Sequence, residues 1–286
     1  FKERDKQQMA AAIQEYQDVS KIPMFIGVDE EGGTVNRISL YKQYREVPFW
    51  SPRDLFDEGG MELIKSDTKE KCRLLSSLGI NLNFAPVADI SSDPADYMYP
   101  RTFGISAEET CKYVENVVSV MKENGIGSVL KHFPGYGNNS HTHTGIAVDE
   151  RSLKSLREND FLPFESGIEA GAEVVLVSHN IVRSIDGEHP ASLSLQVHNI
   201  LRDEIGFSGL IITDDLYMDA IREYTHGQEA AVMAVLAGND LLCCSDYQAQ
   251  YPAVVQALKD GKISENRVDE SVMRILQYKI SMGLMN

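Results

Sequence analysis

Apolar residues follow two different spacings along this chain of 286 residues. Short runs of β-branched and other apolar residues predict buried strands, and they alternate with segments whose apolar positions recur every three or four residues, which predict amphipathic helices. Strands are predicted at residues 24–29, 80–89, 127–132, 173–179, 209–214 and 240–244. Helices are predicted near residues 5–19, 60–78, 107–124, 153–170, 194–205, 227–237 and 264–282.

Several predicted helices end in a glycine that comes just before the next strand, which is typical of a left-handed helix C-terminus. These glycines are Gly79, Gly125, Gly171, Gly206 and Gly238. Near-continuous apolar strands separated by single helices indicate a parallel sheet covered by helices. Such a sheet is either open and doubly wound or closed into an eight-stranded barrel.

Polar residues at the strand ends distinguish these two α/β folds. The residues that close the predicted strands are Asp29, Asp89, Lys131 with His132, Ser178 with His179, and Asp214 with Asp215. A barrel collects functional groups from nearly all of its strands, whereas an open sheet collects them at one switch point. We therefore predict a (β/α)8 TIM barrel that forms one domain over residues 1–286. Because six strands are visible and the sequence starts with a helix, we expect the first strands, in the amino-terminal part of the domain, to be absent from it; an irregular barrel is the alternative.

Composition and charge restrict the partners. With 43% hydrophobic residues, a chain of this length can bury a large core. Its 27 basic and 43 acidic residues give a net charge of −16, which disfavours nucleic acid and anionic membrane surfaces, although solubility alone accounts for it equally well. No run of about 18 apolar residues predicts insertion into a membrane.

The four cysteines show neither the spacing of a zinc site nor a disulfide framework. They are Cys72, Cys111, Cys243 and Cys244, and buried thiols are the simplest interpretation of the adjacent pair. No metal or other cofactor is predicted.

The densest group of reactive side chains follows the strand predicted at 127–132. Residues 131–143 read KHFPGYGNNSHTH and combine a lysine, three histidines and two glycines. A strand that leads from the core into a loop with glycine and proline can place Lys131, His132 and His143 where a polar ligand binds.

Two acidic motifs follow other strands. Asp29, in the GVDEEGG run at 27–33, is interpreted as a carboxylate that receives ligand hydroxyls, with a structural turn as the alternative. Asp214 is the stronger catalytic candidate, because a desolvated carboxylate is costly unless it is paired or used. Asp215 is interpreted as a cap of the next helix.

Three further polar residues stand on predicted strands. His179 is either a satisfied core histidine or a residue of the pocket wall. Asp89 and Asp240 are expected to form ion pairs that stabilise the barrel.

Two catalytic classes fit these residues. One uses a carboxylate nucleophile with a separate acid/base, as in retaining glycoside hydrolysis. The other is metal-assisted hydrolysis, for which His141 and His143 have a suitable spacing, but no third and fourth ligand is evident.

Six motifs, in order along the chain, resemble glycoside hydrolase family 3, in particular its single-domain β-N-acetylglucosaminidases. The motifs are GVDEEGG at 27–33, NFAPVAD at 83–89, RTFG at 101–104, KHFPGYG at 131–137, PASLS at 190–194 and ITDDLYM at 212–218. The likeness runs from about residue 20 to the end of the chain.

The resemblance implies a (β/α)8 barrel and a retaining mechanism. Asp214 matches the nucleophile, and His143 matches a histidine that protonates the leaving oxygen. The sugar-binding positions of the family are matched by Asp29, Arg101, Lys131 and His132, and His179 and Met218 are further candidates for substrate contacts.

One position departs from the family pattern. The resemblance implies an aspartate two residues before the acid/base, whereas this chain has His141 there. A neutral imidazole accepts a hydrogen bond but supplies no counter-charge, so we expect His143 to be a weaker acid catalyst unless Asp149 or Glu150 replaces the missing carboxylate.

The resemblance predicts a retaining exo-β-N-acetylglucosaminidase that hydrolyses terminal β-linked GlcNAc of glycans or peptidoglycan fragments. The alternatives are a weak or inactive GlcNAc-binding barrel and a family 3 glycosidase or phosphorylase of other specificity. The compartment stays open between an exported or cell-surface protein, which we favour slightly, and a cytoplasmic one.

Overall fold

The computed structural model describes residues 1–137, 145–225 and 229–285. The strands are β1 (Gly27–Val28), β2 (Leu82–Asn83), β3 (Gly127–Phe133), β4 (Val148–Asp149), β5 (Val174–Val177), β6 (Ile181–Val182) and β7 (Leu210–Thr213). The helices are α1 (Lys6–Val19), α2 (Pro52–Ser77), α3 (Ala107–Glu123), α4 (Leu153–Ser155), α5 (Phe161–Glu169), α6 (Leu195–Asn199), α7 (Asp219–Thr225), α8 (Ala230–Ala237), α9 (Tyr247–Lys259) and α10 (Glu265–Ser281).

Five strands form one parallel sheet in the order β1-β2-β3-β5-β7. A parallel bridge between Ile212 and Leu241 continues this sheet at the position of the sixth predicted strand. The strands β4 and β6 form a separate parallel pair. The chain therefore has an α/β fold built on a parallel sheet, as predicted.

Both faces of the sheet are covered, as the apolar strands predict. Val175, Val177 and Ile211 belong to a large core shared with the helices. The alternate residues Val174 and Leu176 belong to a second core on the other face. Because successive strand residues point to opposite faces, this division accounts for the nearly continuous apolar runs.

Serine residues precede five of the helices in the described part of the chain. The side-chain oxygen of each accepts a backbone N–H of the first turn, which satisfies one of the free donors there. These caps are Ser51, Ser106, Ser152, Ser194 and Ser264. The five predicted helix-ending glycines all have positive φ, between +71° and +123°.

The main differences from the prediction are one longer helix and several short elements. Helix α9 was not predicted, because Ala257 is its one buried residue and Pro252 interrupts its interior. Helix α7 and the pair β4-β6 were also missed, since two to seven residues are too few to show a period. In the described part of the chain, no helix combines the length and the apolar character needed to cross a membrane.

Candidate active site

A cavity of about 440 Å3 lies where the parallel strands end. Its charged and ionisable lining includes Asp29 after β1, Lys131 and His132 of β3, and Asp214 after β7. Because the carboxyl ends of parallel strands meet at one edge of a sheet, residues far apart in sequence come together here. Leu176 and Phe84 add apolar surface.

Lys131 is a buried cation between two carboxylates. Its side chain is 2% exposed, and Nζ lies 2.5 Å from Oδ1 of Asp29 and 2.5 Å from Oε1 of Glu31. Burial lowers the pKa of Lys131, but the two carboxylates outweigh burial and raise it, so the ammonium stays charged. The Asp29 side chain is 40% exposed and presents this pair to the cavity.

Glu31 joins Lys131 to Arg101. The guanidinium of Arg101 binds Glu31 through two bonds, with Nη2 2.7 Å from Oε1 and Nε 3.0 Å from Oε2. Burial raises the pKa of Glu31, but Lys131 and Arg101 together lower it to about 2. Glu31 is therefore ionised at neutral pH and fixes two cations at the cavity wall.

His132 is oriented by Asp89. Its Nδ1 lies 2.6 Å from Oδ2 of Asp89, and Nη2 of Arg101 lies 3.3 Å from its Nε2. Because a guanidinium can only donate, these contacts fit a ring whose Nδ1 donates to Asp89 and whose Nε2 accepts. Asp89 was expected in an ion pair that stabilises the barrel, and the structure instead shows it positioning a residue of the cavity.

Asp214 follows β7 directly and faces the cavity. Its Oδ1 accepts the N–H of Asp215 at 2.8 Å. Burial raises the pKa of Asp214, but the nearby His179 and His132, the Asp215 N–H and Lys131 act against burial and lower it. A partly enclosed carboxylate that stays ionised can serve as a nucleophile.

Asp215 closes a turn. Its Oδ1 accepts the N–H groups of Tyr217 and Ser245, each at 3.0 Å. Asp215 thus joins the end of β7 to the segment after Leu241, and it does not cap α7, which begins four residues later.

His179 supports the same turn from within the core. Its Nδ1 lies 2.7 Å from Oγ of Ser192, and its Nε2 lies 3.0 Å from the carbonyl oxygen of Asp215. The residue is 1% exposed. Of its two predicted roles, the structure favours the satisfied core histidine.

Five predicted site residues meet at the cavity: Asp29, Arg101, Lys131, His132 and Asp214. Met218 and His179 are not among the described residues that line the cavity. The N–H of Met218 donates a hydrogen bond to the carbonyl oxygen of Asp215. Met218 is therefore part of the turn after β7 and is buried. The predicted acid/base His143 and its neighbour His141 lie outside the described residues.

The two acids considered as substitutes for a carboxylate at position 141 are both paired with arginines. Oδ2 of Asp149 lies 2.6 Å from Nη2 of Arg151. Oε1 of Glu150 lies 3.0 Å from Nε of Arg183, in an exposed pair.

Three residues of the site were not predicted from the sequence: Glu31, Arg37 and Cys243. The signal for Glu31 was present, because residues two apart on an extended segment project to the same side and Asp29 was already a candidate. Arg37 lines the cavity from a loop that no local pattern predicts. Cys243 also lines it, and burial raises the pKa of its thiol to about 12.

Within residues 1–137, 145–225 and 229–285, no group of three or more His, Cys, Asp or Glu side chains is arranged to hold a metal ion. The four cysteines, all within these ranges, are free thiols.

Comparison with known proteins identifies the family. Residues 1–278 match the model of the glycosyl hydrolase family 3 N-terminal domain. β-Hexosaminidase LpqI of Mycobacterium tuberculosis is 31% identical over 269 residues, which cover 90% of this chain and 68% of that protein. The chain therefore belongs to glycosyl hydrolase family 3.

Solved structures agree with this assignment. A family 3 β-N-acetylglucosaminidase from Paenibacillus sp. str. FPU-7 superposes with a TM-score of 0.91 at 30% identity, over 98% of this chain and 55% of that chain. The M. tuberculosis LpqI structure superposes with a TM-score of 0.82 at 28% identity, over 95% of this chain and 88% of that one. The predicted family is confirmed, and the names of these relatives place the chain among the glycoside hydrolases.

Proposed function

We propose that this chain is a retaining exo-β-N-acetylglucosaminidase that hydrolyses terminal β-linked GlcNAc of glycans or peptidoglycan fragments. The observation that carries the proposal is the ionised carboxylate of Asp214 in a 440 Å3 cavity that also contains the Asp29–Lys131 pair, Arg101 and His132. The relatives named β-hexosaminidase and β-N-acetylglucosaminidase support GlcNAc as the sugar.

Asp214 is assigned as the nucleophile. Its lowered pKa keeps the carboxylate ionised, and the bond from the Asp215 N–H holds one oxygen, which limits rotation of the side chain. The carboxylate attacks the anomeric carbon, a glycosyl-enzyme ester forms, and the aglycone oxygen leaves with a proton. Water then gives a proton to the acid/base and attacks the same anomeric carbon, which releases the Asp214 carboxylate, so two inversions retain the anomeric configuration.

Sugar hydroxyls are assigned to the polar groups around Lys131. The Asp29 carboxylate accepts hydrogen bonds from hydroxyls, while Lys131 and Arg101 donate them. Since Glu31 holds both cations in place before the substrate arrives, little side-chain entropy is lost on binding. His132, whose Nε2 lies 3.3 Å from Nη2 of Arg101, is assigned as a further sugar contact.

His143 is assigned as the acid/base, from the match of its motif to the family. An imidazole has an ordinary pKa of about 6.5 and places no second negative charge beside the nucleophile. His141 supplies no counter-charge to it, and Asp149 and Glu150 are occupied by arginines. We therefore expect a functional but slow acid/base.

The parallel sheet is proposed to be part of a (β/α)8 barrel, with residues 1–286 in one catalytic domain. The support is the matched family model and the position of the cavity at the carboxyl ends of the strands, where such barrels bind substrates.

Substrate assays test the proposal. Aryl β-GlcNAc should be hydrolysed and aryl β-glucoside much more slowly, because the glucoside lacks the 2-acetamido group. Each assay is run with and without phosphate, and a phosphate-dependent release of sugar phosphate would identify a phosphorylase. An equal rate on both glycosides would contradict the assigned specificity.

A non-catalytic GlcNAc-binding protein is the second candidate, favoured by His141 and by the arginine pairs of Asp149 and Glu150. His141→Asp separates the two functions. A true but slow enzyme should gain roughly tenfold in kcat, because the new carboxylate supports the protonated His143. A rate that does not change would show that the missing carboxylate does not limit turnover.

A further inference from the structure

One peptide group in the loop after β3 is held from both sides. The N–H of Tyr136 donates to Oδ1 of Asp89 at 2.7 Å. The carbonyl of Gly135, in the same peptide group, accepts from Nη2 of Arg151 at 3.1 Å. Since Oδ2 of Asp89 binds the ring of His132, this peptide connects Arg151 to a residue of the cavity.

Arg151 is itself rigidly held. Its Nε lies 3.0 Å from both carboxylate oxygens of Asp149, Nη2 lies 2.6 Å from Oδ2 of Asp149, and Nη1 lies 2.7 Å from Oδ1 of Asp160. The two acidic side chains are 2% and 4% exposed. A planar guanidinium can bind two carboxylates and a carbonyl at once, whereas an ammonium is a point donor without this fixed fork.

The loop backbone lies directly against this ion cluster. A Cβ added at Gly135 would be 2.5 Å from Oδ1 of Asp160, and one added at Gly137 would be 2.6 Å from Cζ of Arg151. Both glycines also have positive φ, +112° and +59°. Only residues without a side chain allow the backbone to approach the cluster so closely.

We propose that Arg151, fixed by Asp149 and Asp160, is a positioning residue that orients the Gly135–Tyr136 peptide and, through Asp89, holds the His132 ring in place at the cavity. Arg151 is not among the described residues that line the cavity, so its effect reaches the substrate through His132. The inference deepens the proposed function and rests on it for the assignment of His132 as a sugar contact.

The strength of this arrangement depends on the charge of Asp160. Burial raises its pKa to about 6; Arg151 opposes the increase, and Asp89 and Asp149 add to it. Below this pH Asp160 becomes neutral and loses the ionic part of its bond to Arg151. The positioning of His132 therefore weakens as the pH falls through about 6, while Asp149 still binds the guanidinium.

The test uses Arg151→Lys and Arg151→Ala in the full chain, with Arg157→Ala as the matched control. Arg157 forms an exposed pair with Glu204, close to the cluster in sequence, and has no part in the site. The readouts are the NMR signal of the His132 Nδ1–H, identified by its loss in His132→Gln, and the KM for aryl β-GlcNAc. Both Arg151 variants should shift the signal and raise KM about 10-fold, with a smaller change in kcat.

The pH profile gives an independent readout. In the wild-type protein, kcat/KM should decrease as the pH falls through about 6. Asp160→Asn cannot change its charge, so its kcat/KM should be low and should lack this step, while Arg157→Ala should keep the wild-type profile.

The proposal is wrong if the folded Arg151→Lys and Asp160→Asn variants keep the wild-type His132 signal, KM and pH profile. If Arg151→Ala does not fold, these two milder variants decide. If the His132 signal moves in a protein that hydrolyses no GlcNAc glycoside, the positioning role stands and the proposed function fails.

Discussion

A carboxylate lies near each end of strand β7, and the two carboxylates differ in what surrounds them. Near the amino end, Asp240 accepts the Ile211 N–H at 3.0 Å and binds Arg202 at 2.6 Å and Arg274 at 3.0 Å. Arg267 lies 3.7 Å from it. These partners leave the Asp240 side chain fully enclosed.

At the carboxyl end, Asp214 receives the N–H of Asp215 and opens onto the cavity. Two carboxylates attached to the same sheet region thus have different uses. Asp240 is surrounded by protein partners, as expected of a structural ion cluster, whereas the cavity leaves space for a ligand beside Asp214. Removing each one should therefore damage different properties of the molecule.

The largest expected effect is on catalysis. Asp214→Ala should reduce kcat for aryl β-GlcNAc by on the order of 10⁴-fold or more, because it removes the group that forms the covalent bond. The melting temperature and the circular dichroism spectrum should show that the variant is folded. Retained turnover would assign the nucleophile to another residue.

Next is the effect of the enclosed carboxylate on stability. Asp240→Ala should lower the free energy of unfolding by about 3–5 kcal/mol, since three arginines then lie close together without their counter-charge. Urea denaturation measures this change, and kcat per folded molecule should stay near the wild-type value. As a control, Lys112→Ala breaks the surface pairs with Glu108 and Glu109 and should leave stability nearly unchanged.

A smaller effect is expected for the two carboxylates beside Lys131, of which Glu31 is enclosed and Asp29 is open to the cavity. Glu31→Gln and Asp29→Asn each remove a charge beside Lys131, and each should raise KM by about 10- to 100-fold through loss of a charge-assisted bond. Only Glu31→Gln should also lower stability at neutral pH, because Glu31 is buried and Asp29 is half-exposed. Equal stability losses in the two variants would contradict this distinction.

The ionisation of Glu31 also makes the stability of the folded protein depend on pH. The pKa of Glu31 is lowered from 4.5 to about 2 in the folded protein, so its contribution is complete above pH 4.5 and is lost as the pH falls towards 2. Acid unfolding of Glu31→Gln should lack this part of the wild-type pH dependence, on the order of 1–3 kcal/mol.

The smallest effect concerns the thiol next to Asp214. Because burial raises the pKa of Cys243 to about 12, little thiolate exists at pH 7, and iodoacetamide should alkylate Cys243 slowly. Activity and intact mass, followed together, should change little over an hour. Rapid alkylation that removes activity would show that the wall near Asp214 is more open than the structure indicates.

The long-range features of the site could be predicted from sequence because they depend on the fold. Strand ends carry Asp29, Lys131 and Asp214, and parallel strands bring their carboxyl ends together, so the meeting of these residues follows from the strand pattern alone. The buried faces of β5 and β7 were equally visible as apolar runs.

The supporting contacts could not be predicted in the same way. That Asp89 binds His132, that Arg151 reaches the Gly135 carbonyl and that Asp240 gathers three arginines depend on side-chain directions in separate elements. A sequence shows that these charges exist, and an ion pair was correctly expected at Asp240. It does not show which partner each charge selects.

The central claim is that the Asp214 carboxylate bonds to the sugar. It is tested most directly with a fluorinated GlcNAc donor that forms the glycosyl-enzyme but releases it slowly, followed by peptide mass mapping of the trapped protein. The account predicts one added sugar, located on Asp214 and absent from Asp214→Ala. A sugar attached to any other residue, or turnover of the donor with no covalent intermediate, would contradict it.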